Sequence, residues 1–139
     1  MALIDRLLEG RITASQKRVL DIIVSTARDL EVDPCLAVSI AILESGLNPK
    51  TVGDNGTSFG LYQLHVGGEL GSMPSDRAFD PVINTTIALR VLHGVDPEIT
   101  NPGDRAAAAQ RPRYPKLYAL AVNTIYPLVK RFYENSYGQ

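Results

Sequence analysis

The chain strings together stretches of helical hydrophobic spacing separated by short polar breaks, and almost none of it follows the two-residue alternation of a half-buried strand. Leu3, Ile4, Leu7 and Leu8 line one side of a short amphipathic helix over 2–9, which Gly10 ends. Thr13-Ala-Ser-Gln16 has the form of a capping box, so a second helix runs from about 14 to 30 with Val19, Leu20, Ile23 and Ala27 as its buried stripe. Asp33-Pro34 reads as an N-cap followed by proline at the first helical position. From there Leu36, Ala37, Ile40, Ala41 and Leu43 make a segment apolar on nearly all sides, which predicts a central buried helix ending at Glu44-Ser45.

The middle of the chain is polar and broken. Asn48-Pro49 cannot continue a helix, and Asp54-Asn55-Gly56 is a turn signal suited to the tip of a small hairpin. Residues 58–64 predict a short helix or turn, and 66–75 an exposed loop. Asp80-Pro81 repeats the capping pattern and opens a helix to about His93 that buries Val82, Ile83, Ile87, Leu89 and Val91 in part. After a linker over 96–101, an alanine-rich helix over 103–110 is interrupted by Arg111-Pro112. Tyr114-Pro115 starts the last helix, with Leu117, Leu120, Ala121 and Ile125 inward and a kink or break expected at Pro127. The class predicted is mainly α, a single domain over 1–139 with at most a small β-hairpin.

Composition narrows the function. Hydrophobic residues make up 45% and charged residues 21% of the 139, ordinary for a globular domain. A formal net charge of -1 provides no electrostatic footprint for nucleic acid, although Arg111, Arg113 and Lys116 form a local cationic patch. The single cysteine, Cys35, excludes an internal disulfide framework and reads as a small buried hydrophobe. The longest apolar run, 36–43, falls far short of the roughly 20 residues that span a bilayer. The N-terminal segment MALIDRLLEGR lacks the pattern of a secretory signal, so delivery to a cell wall would need another machinery.

The chemistry concentrates at 41–63. An apolar helix ends in Glu44, where the helix dipole opposes negative charge, a poor place for a purely structural carboxylate. A glycine-rich loop over 53–57 can wall a cleft beside it, and desolvation there would keep the acid protonated. Ser45 either bonds that carboxylate or closes the helix end. Gln63 carries a donor and an acceptor suited to an N-acetyl group or to loop backbone, and Tyr62 either stacks on a sugar or packs. His65 and His93 show no metal-ligand spacing; His65 follows Gln63 closely and either reaches the cleft or sits on the surface, and no cofactor motif is present.

Glu44-Ser45, Asn48-Pro49 and Gly60-Leu61-Tyr62-Gln63, followed by Phe79-Asp80-Pro81 and Asn84, resemble the motifs of lytic transglycosylases of the soluble, goose-lysozyme-like (SLT-type) superfamily. The resemblance spans about 36–92 and implies a lysozyme-like fold acting on peptidoglycan glycan strands, with Glu44 as the catalytic acid and then base. It implies that Tyr118, in a Tyr118-x-x-x-Val122 helix, bonds the catalytic carboxylate. The usual A-Y-N-x-G motif is replaced by residues 107–112, AAAQRP, where Gln110 stands in for the Asn amide. The family's loop serine is missing, with Gly53 near its place and Asp54, Thr57 or Ser58 as substitutes.

Two alternatives stand beside this reading. One is a goose-type muramidase, an inverting hydrolase whose second carboxylate, Asp54, would lie about 6.5–9.5 Å from the acid. The other is a catalytically weak glycan-binding or structural module of a virion or secretion assembly. The loop GDNGTSFGL looks similar to phage-encoded members, which act from a virion or after release into the wall.

Overall fold

The computed structural model describes residues 2–138, and it is mainly helical. The helices are α1 (Ala2–Leu8), α2 (Ala14–Asp29), α3 (Pro34–Ser45), α4 (Pro81–His93), α5 (Pro102–Gln110) and α6 (Pro115–Tyr137). Between α3 and α4 lie three two-residue strands, β1 (Val52–Gly53), β2 (Ser58–Phe59) and β3 (Leu64–His65), and a 3₁₀ turn over Ser75–Phe79. The predicted hairpin is β1 with β2, paired antiparallel around the Asp54-Asn55-Gly56 turn. Residues 58–64 are not the predicted helix or turn alone: they hold β2, a four-residue turn and the start of β3, which adds a third antiparallel strand. Strands this short carry no readable alternation, so their pairing comes from the turns on either side.

The helix starts follow their caps. Thr13 and Gln16 exchange both bonds of a capping box at α2. The Asp33 and Asp80 carboxylates accept backbone N–H bonds ahead of Pro34 and Pro81, and Asn101 does the same ahead of Pro102. Helix α3 is the centre of the molecule, with Cys35 through Ile42 all buried. Helices α2 and α6 pack on it, α5 packs on α6, and α4 lies against α2 and α5. Cys35 is buried as predicted, and burial pushes its thiol up to about 12.

Two stripes are rotated from their predicted faces. In α6 Leu117 and Leu120 are 67% and 62% exposed, while Ala119, Val122, Ile125, Val129, Phe132 and Tyr133 face inward. The rotation follows from Gly103: a Cβ there would lie 2.2 Å from the Ala119 carbonyl oxygen, so α5 and α6 meet backbone to backbone along the Ala119 face. In α4 Val82 and Val91 face outward and Asn84, Thr85, Ala88, Leu89 and Leu92 inward. Helix α6 also continues through Pro127, its two halves both anchored by buried side chains.

Asn84 explains why α4 buries a polar face. Its side chain, fully buried, accepts from the Tyr62 N–H (2.9 Å) and donates to the carbonyls of Phe59 (2.9 Å) and Ala78 (2.8 Å). It thereby satisfies the irregular backbone between β2 and β3 and ties the sheet to α4. Gly60 completes the fit: at φ +82° a Cβ would lie 2.2 Å from the Asn84 amide nitrogen. Asn84→Ala strands three buried backbone groups at once and is expected to destabilise the fold by about 3 kcal/mol. Urea unfolding followed by circular dichroism measures it, and a loss below about 0.5 kcal/mol would contradict the pinning role.

Candidate active site

Helix α3 delivers Glu44 in its last turn, half-buried, and α3 is closed by Gly46 in the left-handed conformation (φ 61°). The Tyr118 hydroxyl, from the first turns of α6, donates to Glu44 Oε2 at 2.7 Å. The two residues are 74 apart in sequence, so this bond exists only when α6 is docked on α3. Around them opens a cleft of about 520 Å³ lined by Asp54, Gln63 and His65 of the sheet, Gln110 of α5, and residues 111–113 of the α5–α6 turn.

Burial pushes the Glu44 carboxyl above the ordinary range for glutamate. The hydrogen bond from Tyr118 opposes that shift, the negative charge of Asp54 adds to it, and His65 opposes it. Desolvation dominates, so the acid form persists to higher pH than in a solvated glutamate. Burial and the adjacent Glu44 push the Tyr118 hydroxyl far up, which leaves it a donor at all ordinary pH.

The other sequence candidates divide. Gln110 lines the cleft and donates from Nε2 to the Tyr62 carbonyl at 3.0 Å. Gln63 also lines it, but both bonds of its Nε2 go to the Thr51 (3.1 Å) and Gly60 (3.0 Å) carbonyls, so its donor side braces the loop. Its Oε1 sits where a side chain at residue 53 would be, 2.3 Å from a Cβ, so Gly53 leaves room for Gln63. Tyr62 is 1% exposed with its hydroxyl on the Ala37 carbonyl (2.8 Å); it packs in the core and is not a stacking surface for sugar. Ser45 does not line the cleft: its hydroxyl donates to the Ala41 carbonyl (3.0 Å) and finishes the helix. Ser58 is fully buried and cannot touch substrate directly.

Ser58 works through its neighbours. Its hydroxyl donates to Asp54 Oδ2 (2.5 Å) and lies 2.8 Å from His65 Nδ1. With its one proton given to Asp54, the serine oxygen accepts from His65, which fixes Nδ1 as the protonated ring nitrogen. His65, which the sequence allows either in the cleft or on the surface, lines the cleft. Its signal was the strand pairing that sets it opposite Ser58, invisible until β3 is recognised. Among the described residues no cluster of His, Cys, Asp and Glu could hold a metal ion, and no helix is long and apolar enough to cross a membrane.

The family model described as Transglycosylase SLT domain matches residues 21–110, which include α3, the sheet, α4 and α5. The chain belongs to this family, whose lytic transglycosylase-type domains act on peptidoglycan. No curated protein and no solved structure matches it significantly.

The hydrogen bond between Tyr118 and Glu44 favours the ionised carboxylate, so its removal has a defined sign. Tyr118→Phe is expected to raise the Glu44 pKa further and move the alkaline limb of the pH–rate profile upward, while the rate at its maximum falls. A limb that stays in place or moves down would show that Tyr118 does not act on the carboxyl. Stability follows the same linkage: the raised folded pKa favours folding below the carboxylate's unfolded pKa, and that contribution is lost as pH rises through the folded value. Glu44→Gln is therefore expected to unfold at an equal or higher temperature than the native chain at neutral pH, checked by thermal melts across pH.

Proposed function

We propose that the protein is a lytic transglycosylase that cleaves the bond between N-acetylmuramic acid and N-acetylglucosamine, with Glu44 as general acid and then base. The observation that carries this reading is the half-buried Glu44 carboxyl, raised in pKa and held from α6 by Tyr118 at 2.7 Å. Protonated Glu44 gives its proton to the glycosidic oxygen as the bond from the muramic C1 breaks. The carboxylate left behind takes the proton of that sugar's C6 hydroxyl, whose oxygen closes on C1 to make the 1,6-anhydro end. Atoms balance without water, and one carboxyl group suffices because the substrate supplies the nucleophile. Tyr118 steadies the ionised intermediate state of Glu44, and Gln110 offers an amide to the sugar's N-acetyl group.

One observation favours the hydrolytic alternative enough to keep it in view: Asp54 lines the same cleft and its charge is felt at Glu44. One Asp54 oxygen, however, already accepts the Ser58 hydroxyl, and the residue stands on a turn at φ 51°, where Asp is favoured for backbone reasons. Delivery to the wall by a virion or a secretion machine is the context we propose for the domain.

Glu44→Gln keeps the side chain's size and removes its proton. Lysis of purified sacculi is expected to fall on the order of a hundredfold or more, with the fold retained by circular dichroism; near-native lysis would move the catalyst elsewhere. Mass spectrometry of the native enzyme's products, after borohydride reduction, separates the two chemistries. Non-reducible muropeptides lighter by one water are expected, with little effect of Asp54→Asn. Reducible products and an inactive Asp54→Asn would establish the hydrolase.

A further inference from the structure

The α5–α6 turn adds to the cleft two cations that the proposed chemistry does not use. Arg111 and Arg113 both line the cavity that holds Glu44, in a chain whose formal net charge is -1. Arg113 has no carboxylate partner among the described residues. Its guanidinium instead lies 5.4 Å from the ring centroid of Tyr114, a ring that is 60% exposed, so the planar fork is steadied on an aromatic face without its donors being used. Arg111 makes one bond, from Nη2 to Glu69 Oε2 at 3.1 Å, and its remaining N–H groups are left toward an open side, since the side chain is 72% exposed. The other Glu69 oxygen accepts the His65 N–H at 3.1 Å, so this pair straps the turn to the sheet side of the cleft.

The backbone points the same way. Arg111 is at φ 50°, ψ 55°, a left-handed conformation in a non-glycine residue directly ahead of Pro112. The Cβ of a non-glycine residue and the following proline both disfavour that state, and such strain persists where the surroundings over-determine the backbone. The result is a turn that holds one partnerless cation and one singly bonded cation at the edge of a cleft whose other titratable groups are Glu44, Asp54, His65 and Tyr118.

A glycan strand alternates a neutral sugar with one that carries a carboxylate on its O3 substituent, either in the peptide stem or in the lactyl group itself. We infer that Arg111 and Arg113 form a subsite for a carboxylate of the muramyl substituent, and that this contact places the muramyl sugar on the α5–α6 side of Glu44. The inference rests on the reading of the cleft as a glycan-strand site. A planar guanidinium takes a carboxylate in two parallel bonds, which would distinguish the two alternating sugars by charge before any chemistry occurs.

Binding of defined glycan oligomers to the Glu44→Gln protein, followed by calorimetry, tests the subsite without depending on turnover. Three probes are used: oligomers with free-acid stems, oligomers with amidated stems, and oligomers stripped of stems so that the lactyl carboxylate is bare. The free-acid oligomer is expected to bind about fivefold tighter than the amidated one, the scale of a partly exposed ion pair, and its affinity should fall with added salt. Adding Arg113→Gln should remove that preference, and Arg113→Glu should reverse it. Arg113 has no bond to lose in the fold, so these variants are the clean ones; Arg111→Gln, which also breaks the link to Glu69, is read alongside thermal melts. If the stripped oligomer keeps the tight binding, the lactyl group is the ligand; if it drops to the amidated level, the stem is. In the active enzyme Arg113→Gln should raise KM more than it lowers kcat. Binding without any preference for the free acid, or unchanged in Arg113→Gln and Arg113→Glu, overturns the subsite alone. No binding of any of the three overturns both the subsite and the glycan-site reading.

Discussion

A carboxyl group held out of water at the C-terminal end of a buried helix is the constraint around which this domain is arranged. The helix dipole and the apolar surroundings both act against its charge, so Glu44 is stable there only as an acid or with donors brought to it. Nothing local supplies them: the nearby Ser45 hydroxyl is turned back to the Ala41 carbonyl. The donor comes from Tyr118, and α6 must dock on α3 for the two to meet. That docking requires α5 and α6 to touch backbone to backbone at Gly103 and Ala119, which also fixes the rotation of α6 and sends Leu117 and Leu120 outward. The close contact thus serves the site at a distance, by setting the angle at which Tyr118 enters the cleft.

The sheet side of the cleft is held by different means. Three two-residue strands bury too little to be stable by themselves, and polar bonds take over. Asn84 satisfies the backbone from inside α4, Gln63 braces Thr51 and Gly60, and Ser58 joins Asp54 to His65. Each bond reaches across a turn that has no repeating hydrogen-bond pattern of its own. An irregular wall of this kind can still be rigid when its polar groups are paired.

These two mechanisms explain what was legible in the sequence. Caps and apolar runs are local, and so Thr13, Asp33, Asp80 and the all-apolar face of α3 announced their elements directly. The placing of Glu44 at a cleft was legible because its position contradicts a helix preference, and its bond from Tyr118 because a family resemblance placed it. Tyr62 and Ser58 were not, and His65 only in part. Their roles depend on a register between β2 and β3 that four residues cannot specify, and the same motif residue, a tyrosine beside Gln63, reads equally as a stacking surface or as core. The outward Val82 and Val91 failed for a related reason: hydrophobicity ranks valine above asparagine for burial, but Asn84 closes three backbone bonds that no valine can make.

The network around Asp54 bears on the protonation of Glu44. Asp54 adds to the upward shift at Glu44 from across the cleft, while His65, joined to it through Ser58, counters that shift. The Asp54 carboxylate thus bears on the proton of Glu44 from across the cleft. For the acid-then-base role we propose for Glu44, a group in which neither state is strongly favoured works best. Desolvation favours the acid form of Glu44 and the hydrogen bond from Tyr118 favours the ionised one, with desolvation the larger influence. The opposing influences meet at one carboxyl group of α3, and they come from α6 and from the sheet side of the cleft. The tuning of the acid is therefore a property of how these three parts of the chain are assembled, which is why so much of the polar bonding in the domain is spent on keeping them in register.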